Sequence, residues 1–225
     1  MSLAVATSRI PILPVSGSDP VKVGLVASFN HPGGNVTGAS FVATELETKR
    51  LELLHDLVPT AAVIGILINP TNPAAESRSK DLQMAAHTFE RNIHVVSVGN
   101  ESDLEPAFAT LIQRRAGALL VSTDSFFTSQ RDRLVALAVR HTLPTIYPWR
   151  EFVEAGGLAS YGPNINEVYR EVGIYTGRIL KGEKPAELPF LRPTKFEFVV
   201  NVKAATALGL TIPPLALGRA DEVIE

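Results

Sequence analysis

Four stretches of the sequence put polar side chains where a small charged molecule could be held: Ser16–Asp19, Asn69–Asn72, Ser122–Ser125 and Tyr147–Trp149. Each follows a run that reads as a strand, and three of the four run into the start of a helix. The free N–H groups of a helix start, together with its positive dipole end, favour a carboxylate or phosphate. The candidate binding residues are Ser18, Asp19, Asn69, Thr71, Asn72, Asp124, Ser125 and Tyr147, joined by Tyr161 from a later extended segment. Asp124 differs in kind, because a carboxylate in such a loop attracts an ammonium group. Asp19, Asn72 and Asp124 are also preferred helix-capping types, so capping and ligand binding both stand for them. Phe126, Phe127, Tyr147, Trp149 and Tyr161 fall at strand ends or crossings, where aromatic rings fill a core or wall a pocket.

Signatures of catalysis are missing from the sequence. No G-x-G-x-x-G follows a strand, and neither a P-loop nor a G-x-S-x-G elbow is present. The five histidines (His31, His55, His87, His94 and His141) show no metal-ligand spacing, and the chain has no cysteine, so neither metal nor cofactor is expected. Acid pairs such as Glu45/Glu47 and Asp221/Glu222 read as solvated helix faces. A net charge of -2 argues against electrostatic binding of nucleic acid. The longest apolar run, around Ala61–Ile68, is strand-sized rather than membrane-spanning. Met1-Ser2-Leu3 leads almost directly to Ile10-Pro11-Ile12-Leu13 without a basic segment and an apolar one, so no signal peptide is expected in this chain.

The elements that must position these residues alternate. Ile10–Val15 reads as a short strand weakened by Pro11 and Pro14, and Asp19-Pro20 opens a helix expected to run to about Phe29. Asn30–Ser40 is glycine-rich and extended, and reads either as a hinge between two lobes or as a surface loop. Thr44–Glu47 reads as a capping box for a helix with Leu46, Leu53, Leu54 and Leu57 on its apolar face. Strands are expected at Ala62–Ile68, Ile93–Val98, Ala118–Val121, Pro144–Tyr147 and Phe196–Val200. Helices lie between them, one capped by Ser102–Glu105 and one by Asn166. Ala62–Ile68 is apolar on both alternating faces, the mark of a strand covered by helices on each side. The reading is an α/β fold with parallel sheets covered on both faces.

Taken together these stretches resemble the substrate-binding components of ABC-type importers. The matching pieces include Asp19-Pro20-Val21, His31-Pro32-Gly33-Gly34-Asn35-Val36-Thr37-Gly38 and Asn69-Pro70-Thr71-Asn72-Pro73. Further on they include Tyr147-Pro148-Trp149-Arg150-Glu151-Phe152, Ser160-Tyr161-Gly162-Pro163, Leu180-Lys181-Gly182, Pro193-Thr194-Lys195-Phe196-Glu197 and Ala207–Pro213. The resemblance implies a two-lobed type I periplasmic-binding-protein fold, with 1–37 and 163–195 in an incomplete first lobe and 41–158 and 196–225 in the second. It implies crossings at Pro32–Ser40, Ser160–Pro163 and near Thr194–Phe196, and about three further βα units upstream of Ile10. The implied ligand is a small amino-acid-like molecule, aromatic or branched, held in the interlobe cleft. Asp124 would meet its ammonium, groups near Ser18, Thr71 and Asn72 its carboxylate, and Tyr147 and Tyr161 its side chain. The implied partner is an ABC transporter permease, the implied location periplasmic or lipid-anchored outside the cytoplasm, and the incomplete lobe points to a dimer. The effector domain of a transcription regulator is the alternative, since it uses the same two-lobed fold, and an enzyme on a doubly wound sheet is a third reading with no supporting motif.

Overall fold

The computed structural model describes residues 7–225. In chain order the elements are β1 (Val15–Ser16), β2 (Ala39–Ser40), α1 (Ala43–Leu57), β3 (Val63–Ile68), α2 (Ala75–Thr88), β4 (Asn92–Ser97), α3 (Leu104–Gln113) and β5 (Ala118–Val121). There follow α4 (Ser125–Ser129), α5 (Arg131–Arg140), β6 (Thr145–Tyr147), α6 (Arg150–Glu154), β7 (Ala159–Gly162) and α7 (Ile165–Leu180). The last are β8 (Glu197–Asn201), α8 (Val202–Ala207), α9 (Pro214–Leu217) and β9 (Glu222–Ile224). These elements form two compact units, one running to Ala43 and taking in Pro163–Phe196, the other comprising Thr44–Gly162 and Glu197–Glu225.

In the first unit β1 and β2 pair in parallel, Val15 with Ala39 and Ser16 with Ser40. The strand expected over Ile10–Val15 is broken by its prolines, which supply no N–H. Apart from Val15 in β1, what remains is the isolated bridge from Ile12 to Val36 and the carbonyl of Pro14 accepting from Ala39 N at 2.9 Å. The helix expected from Asp19 to Phe29 is one turn only. Asp19 Oδ1 caps it, accepting from Val21 N at 2.9 Å and Lys22 N at 3.1 Å, and Gly24 at φ +71° ends it. Beyond Gly24 the chain turns inward, so Val26 is buried with Val36 and Phe190. The helix α7 covers β1 and β2 with Val168 and Val172. Its cap is Asn164, whose Oδ1 accepts from Glu167 N, rather than Asn166.

The second unit is a seven-stranded sheet in the order β4-β3-β5-β6-β7-β8-β9. The first five strands are mutually parallel, β8 runs antiparallel to β7, and β9 is parallel to β8. Ile64 and Ile66 face a core built from α1 and α2 (Leu51, Leu54, Leu57, Leu82 and Ala86). Gly65 lies on the opposite face, where a Cβ would meet Leu111 of α3. Both faces are therefore covered, and each fully buried Leu or Ile contributes roughly 1.5–3 kcal/mol. Two helix starts differ from expectation. α1 begins at Ala43, one residue before Thr44, and Glu47 turns into the protein instead of capping. Ahead of α3, the capping box belongs to Asn100 and Asp103 instead of Ser102 and Glu105.

The parallel part of the sheet grows outward in two directions. From β3 the chain goes to one side for β4, then crosses to the other side for β5, β6 and β7. In open α/β sheets, ligands bind beyond the carboxyl ends of the strands at such a reversal. Here the reversal falls between β3 and β5.

Candidate functional site

Asn69 follows β3 and Asp124 follows β5, so the two loops flank the reversal. Asn69 is buried, and its Nδ2 donates to Asp124 Oδ1 at 2.9 Å. Its Oδ1 accepts from both Thr71 N at 3.0 Å and Thr71 Oγ1 at 2.8 Å, which folds the loop back on itself. Asn72 Nδ2 donates to Asp124 Oδ2 at 2.8 Å, while its Oδ1 accepts from Ala74 N at 3.0 Å. Asp124 Oδ1 also accepts from Phe126 N at 2.9 Å, capping α4. Three neutral donors therefore fix the Asp124 carboxylate, and a carboxylate has about four lone-pair sites. Asp124 is half-buried and Ser125 beside it is exposed. Asp124 caps the start of α4, whereas Asn72 turns the loop ahead of α2, whose own start at Ala74 carries no side-chain cap, and the two side chains bond each other.

Below this loop lies a charged cluster that the sequence reading did not anticipate. Glu47 and Arg50 come from α1 and Arg78 from α2, and all three are buried. Their common target is Thr123. Its N–H donates to Glu47 Oε1 at 2.8 Å, its carbonyl accepts from Arg78 Nη1 at 2.7 Å, and its Oγ1 accepts from Arg50 Nη1 at 2.7 Å. Arg50 Nε donates in addition to the Tyr161 carbonyl at 2.6 Å, and Arg78 Nη1 lies 3.5 Å from Glu47 Oε1. Burial pushes the Glu47 carboxyl above its ordinary value; the neighbouring Arg78, Arg50 and Thr123 N–H only partly offset that, and Asp124 adds to it. Burial likewise pushes the Arg50 guanidinium down to about 10, with Glu47 opposing and Arg78 reinforcing the shift. The solvated face read for Glu45 and Glu47 thus holds for Glu45 alone, which is exposed. The other acid pair is not on a helix: Asp221 accepts from Phe198 N, and Glu222 in β9 pairs with Arg150.

The remaining candidates are dispersed. Tyr147 is fully buried, its ring stacked on Phe152 with centroids 4.8 Å apart, and burial pushes its hydroxyl up. It belongs to the helix-covered core and has no open face for a ligand. Tyr161 is half-buried; its ring leans on the core, and burial raises its hydroxyl as well. Trp149 is nearly buried, and its indole N–H donates to Thr128 Oγ1 at 3.2 Å. Ser18 and Asp19 belong to the first unit, where Ser18 accepts from Ser40 Oγ through its carbonyl and Asp19 caps the turn described above. Among the described residues, no three His, Asp or Glu side chains come together as a metal site, and no helix is long and apolar enough to cross a membrane.

A doubly wound sheet carrying polar loops at its point of reversal is the architecture of type I periplasmic-binding-protein-like folds, and comparison with known proteins agrees. The family model for ABC transporter substrate binding proteins matches residues 1–224, and the chain belongs to that family. A curated relative, the tyrosine-binding protein of Clostridioides difficile (strain R20291), is 29% identical over 210 residues. That alignment takes in 91% of this chain and 59% of the relative, so the chain spans about three-fifths of the relative's length. A conserved domain protein from Vibrio cholerae superposes with a TM-score of 0.87 at 27% identity, covering 98% of this chain and 74% of that one. A Streptococcus pneumoniae ABC domain solved in complex with L-Trp gives a TM-score of 0.84 at 27% identity, covering 99% and 76%.

Proposed function

We propose that this chain is the solute-binding part of an extracytoplasmic receptor for an ABC-type importer, delivering a small aromatic amino acid to the transporter's permease from an interlobe cleft. The observation that carries this reading is the Asp124 carboxylate, held by Asn69, Asn72 and Phe126 N at the point where the strand order reverses. A carboxylate so held is an acceptor of fixed position with room for one more donor, which suits an α-ammonium group. The exposed Ser125 and Thr71 stand at the rim beside it. The aromatic class is supported by the relatives, one named for binding tyrosine and one solved with L-Trp. Tyr147 is withdrawn from the ligand contacts because it is core. The regulator alternative gains no support from the family match.

The test is isothermal titration of the whole chain with L-tryptophan, L-tyrosine and L-phenylalanine, before and after Asp124→Asn. Loss of a charged hydrogen bond costs roughly 1.5–3 kcal/mol, so affinity should fall about tenfold or more. Unchanged affinity in Asp124→Asn would remove Asp124 from the site and this reading with it.

A further inference from the structure

We infer that Glu47, Arg50 and Arg78 are positioning residues that orient Asp124 for ligand ammonium, by gripping Thr123 at every one of its polar groups. The inference rests on the role proposed for Asp124. Thr123 immediately precedes Asp124, so any rotation of its peptide planes swings the Asp124 carboxylate away from Asn69 and Asn72. Two helices supply the grip. Glu47 takes the Thr123 N–H, Arg78 the carbonyl and Arg50 the hydroxyl, at 2.7 to 2.8 Å. Bonds to ionised partners are shorter and more directional than neutral ones, and three at one residue leave it little freedom.

Stability alone is a poor reason for the cluster. Burying a carboxylate and two guanidiniums is expensive, and apolar residues of similar volume often serve a fold as well or better. The expense is visible here, since Glu47 Oε2, Arg50 Nη2 and Arg78 Nε are buried without a hydrogen-bond partner in the protein. What apolar residues could not supply is a fixed orientation for the loop after β5. Arg50 extends the arrangement, because its Nε holds the carbonyl of Tyr161, next to the last residue of β7. One guanidinium therefore ties the Asp124 loop to a neighbouring part of the same sheet, and its fork is the geometry that allows both bonds.

A positioning role predicts a loss of selectivity for the ammonium group, beyond any loss of stability. The readout is the ratio of Kd for 3-phenylpropionate, which lacks the ammonium, to Kd for L-phenylalanine. This is measured on the whole chain as wild type, Asp124→Asn, Glu47→Gln, Arg78→Lys and Thr123→Val. Thr123→Val removes only the hydroxyl that Arg50 holds and keeps the shape, so it remains informative if a charge variant fails to fold. Asp124→Asn should bring the ratio close to one. Glu47→Gln, Arg78→Lys and Thr123→Val should each lower it by about threefold or more, and add nothing further in an Asp124→Asn background. Folded variants that keep the wild-type ratio while Asp124→Asn abolishes it would overturn the positioning role and leave the proposed function standing. A ratio untouched by Asp124→Asn itself would overturn both.

Discussion

Arg50→Lys separates the charge of the buried cluster from its geometry. Arg50 is fully buried and makes two bonds on different nitrogens, Nε to the Tyr161 carbonyl at 2.6 Å and Nη1 to Thr123 Oγ1 at 2.7 Å. A lysine has one nitrogen at the end of its chain, so it keeps the charge that faces Glu47 but reaches only one of the two acceptors. One hydrogen bond to a charged group is worth roughly 1.5–3 kcal/mol. For a chain of this size that corresponds to a fall in Tm of about 3–12 °C. Arg50→Met fills the same volume but removes both bonds and leaves Glu47 with less compensation. Removing one member of a buried ion pair typically costs about 3–5 kcal/mol. The order of stability should therefore be wild type, then lysine, then methionine, read from circular-dichroism melts and urea titrations near neutral pH. If charge alone mattered, the lysine variant would melt with wild type. If packing alone mattered, the methionine variant would be the milder of the two. Either result refutes the view that the guanidinium fork is what the site requires.

Two further perturbations test the framework around the site. Gly162 ends β7, and a Cβ there would stand 2.2 Å from the Pro148 carbonyl oxygen and 3.3 Å from Trp149. The carbonyl belongs to backbone that cannot step aside, so Gly162→Ala should cost about 2 kcal/mol or more, seen as a lower urea midpoint with unchanged slope. Glu47 gives a pH signature. Its folded-state pKa lies above the ordinary 4.5, so the stability it contributes is fully present below about 4.5 and is lost as pH rises through the raised value. The stability difference between wild type and Glu47→Gln should therefore shift against wild type as pH rises from 4.5. A difference that moves in wild type's favour would mean that the arginines outweigh burial.

Much of the fold is legible in residue patterns, and the parts that are not have identifiable causes. The unbroken apolar run Ile64–Ile68 reads as a strand covered on both faces, and β3 lies inside the parallel strands, between β4 and β5. Strand direction leaves no such trace. Nothing in Glu197–Asn201 distinguishes a strand that runs with its neighbour from one that runs against it, and β8, reached after the chain has passed through Pro163–Phe196 of the first unit, is antiparallel to β7. β9 is three residues with two exposed side chains, held by a ladder to β8 rather than by burial, so its composition gives no signal. The failed helix after Asp19 is a case of correct start chemistry without a stop rule. Asp19 does cap, but Gly24 ends the turn before an apolar face can form.

The site divides in the same way. Asp124, Asn69 and Asn72 stand out because each is a polar residue in a loop that follows an apolar strand. That they bond one another depends on β3 lying beside β5, which is a fact of strand order. The charged cluster left a signal of another kind. Glu47 and Arg50 are spaced three apart on the face of α1 that carries Leu46, Leu54 and Leu57, and Arg78 precedes Leu82 and Ala86 at intervals of four on the buried face of α2. A charge inside an apolar stripe is either a defect or a partner. Three such charges on two helices flanking one strand end make the first explanation untenable, because unpaired buried charges would prevent folding. Misplaced charge on the two helix faces is thus visible in the sequence, but that the backbone it holds is Thr123 depends on β5 lying beside β3, again a fact of strand order.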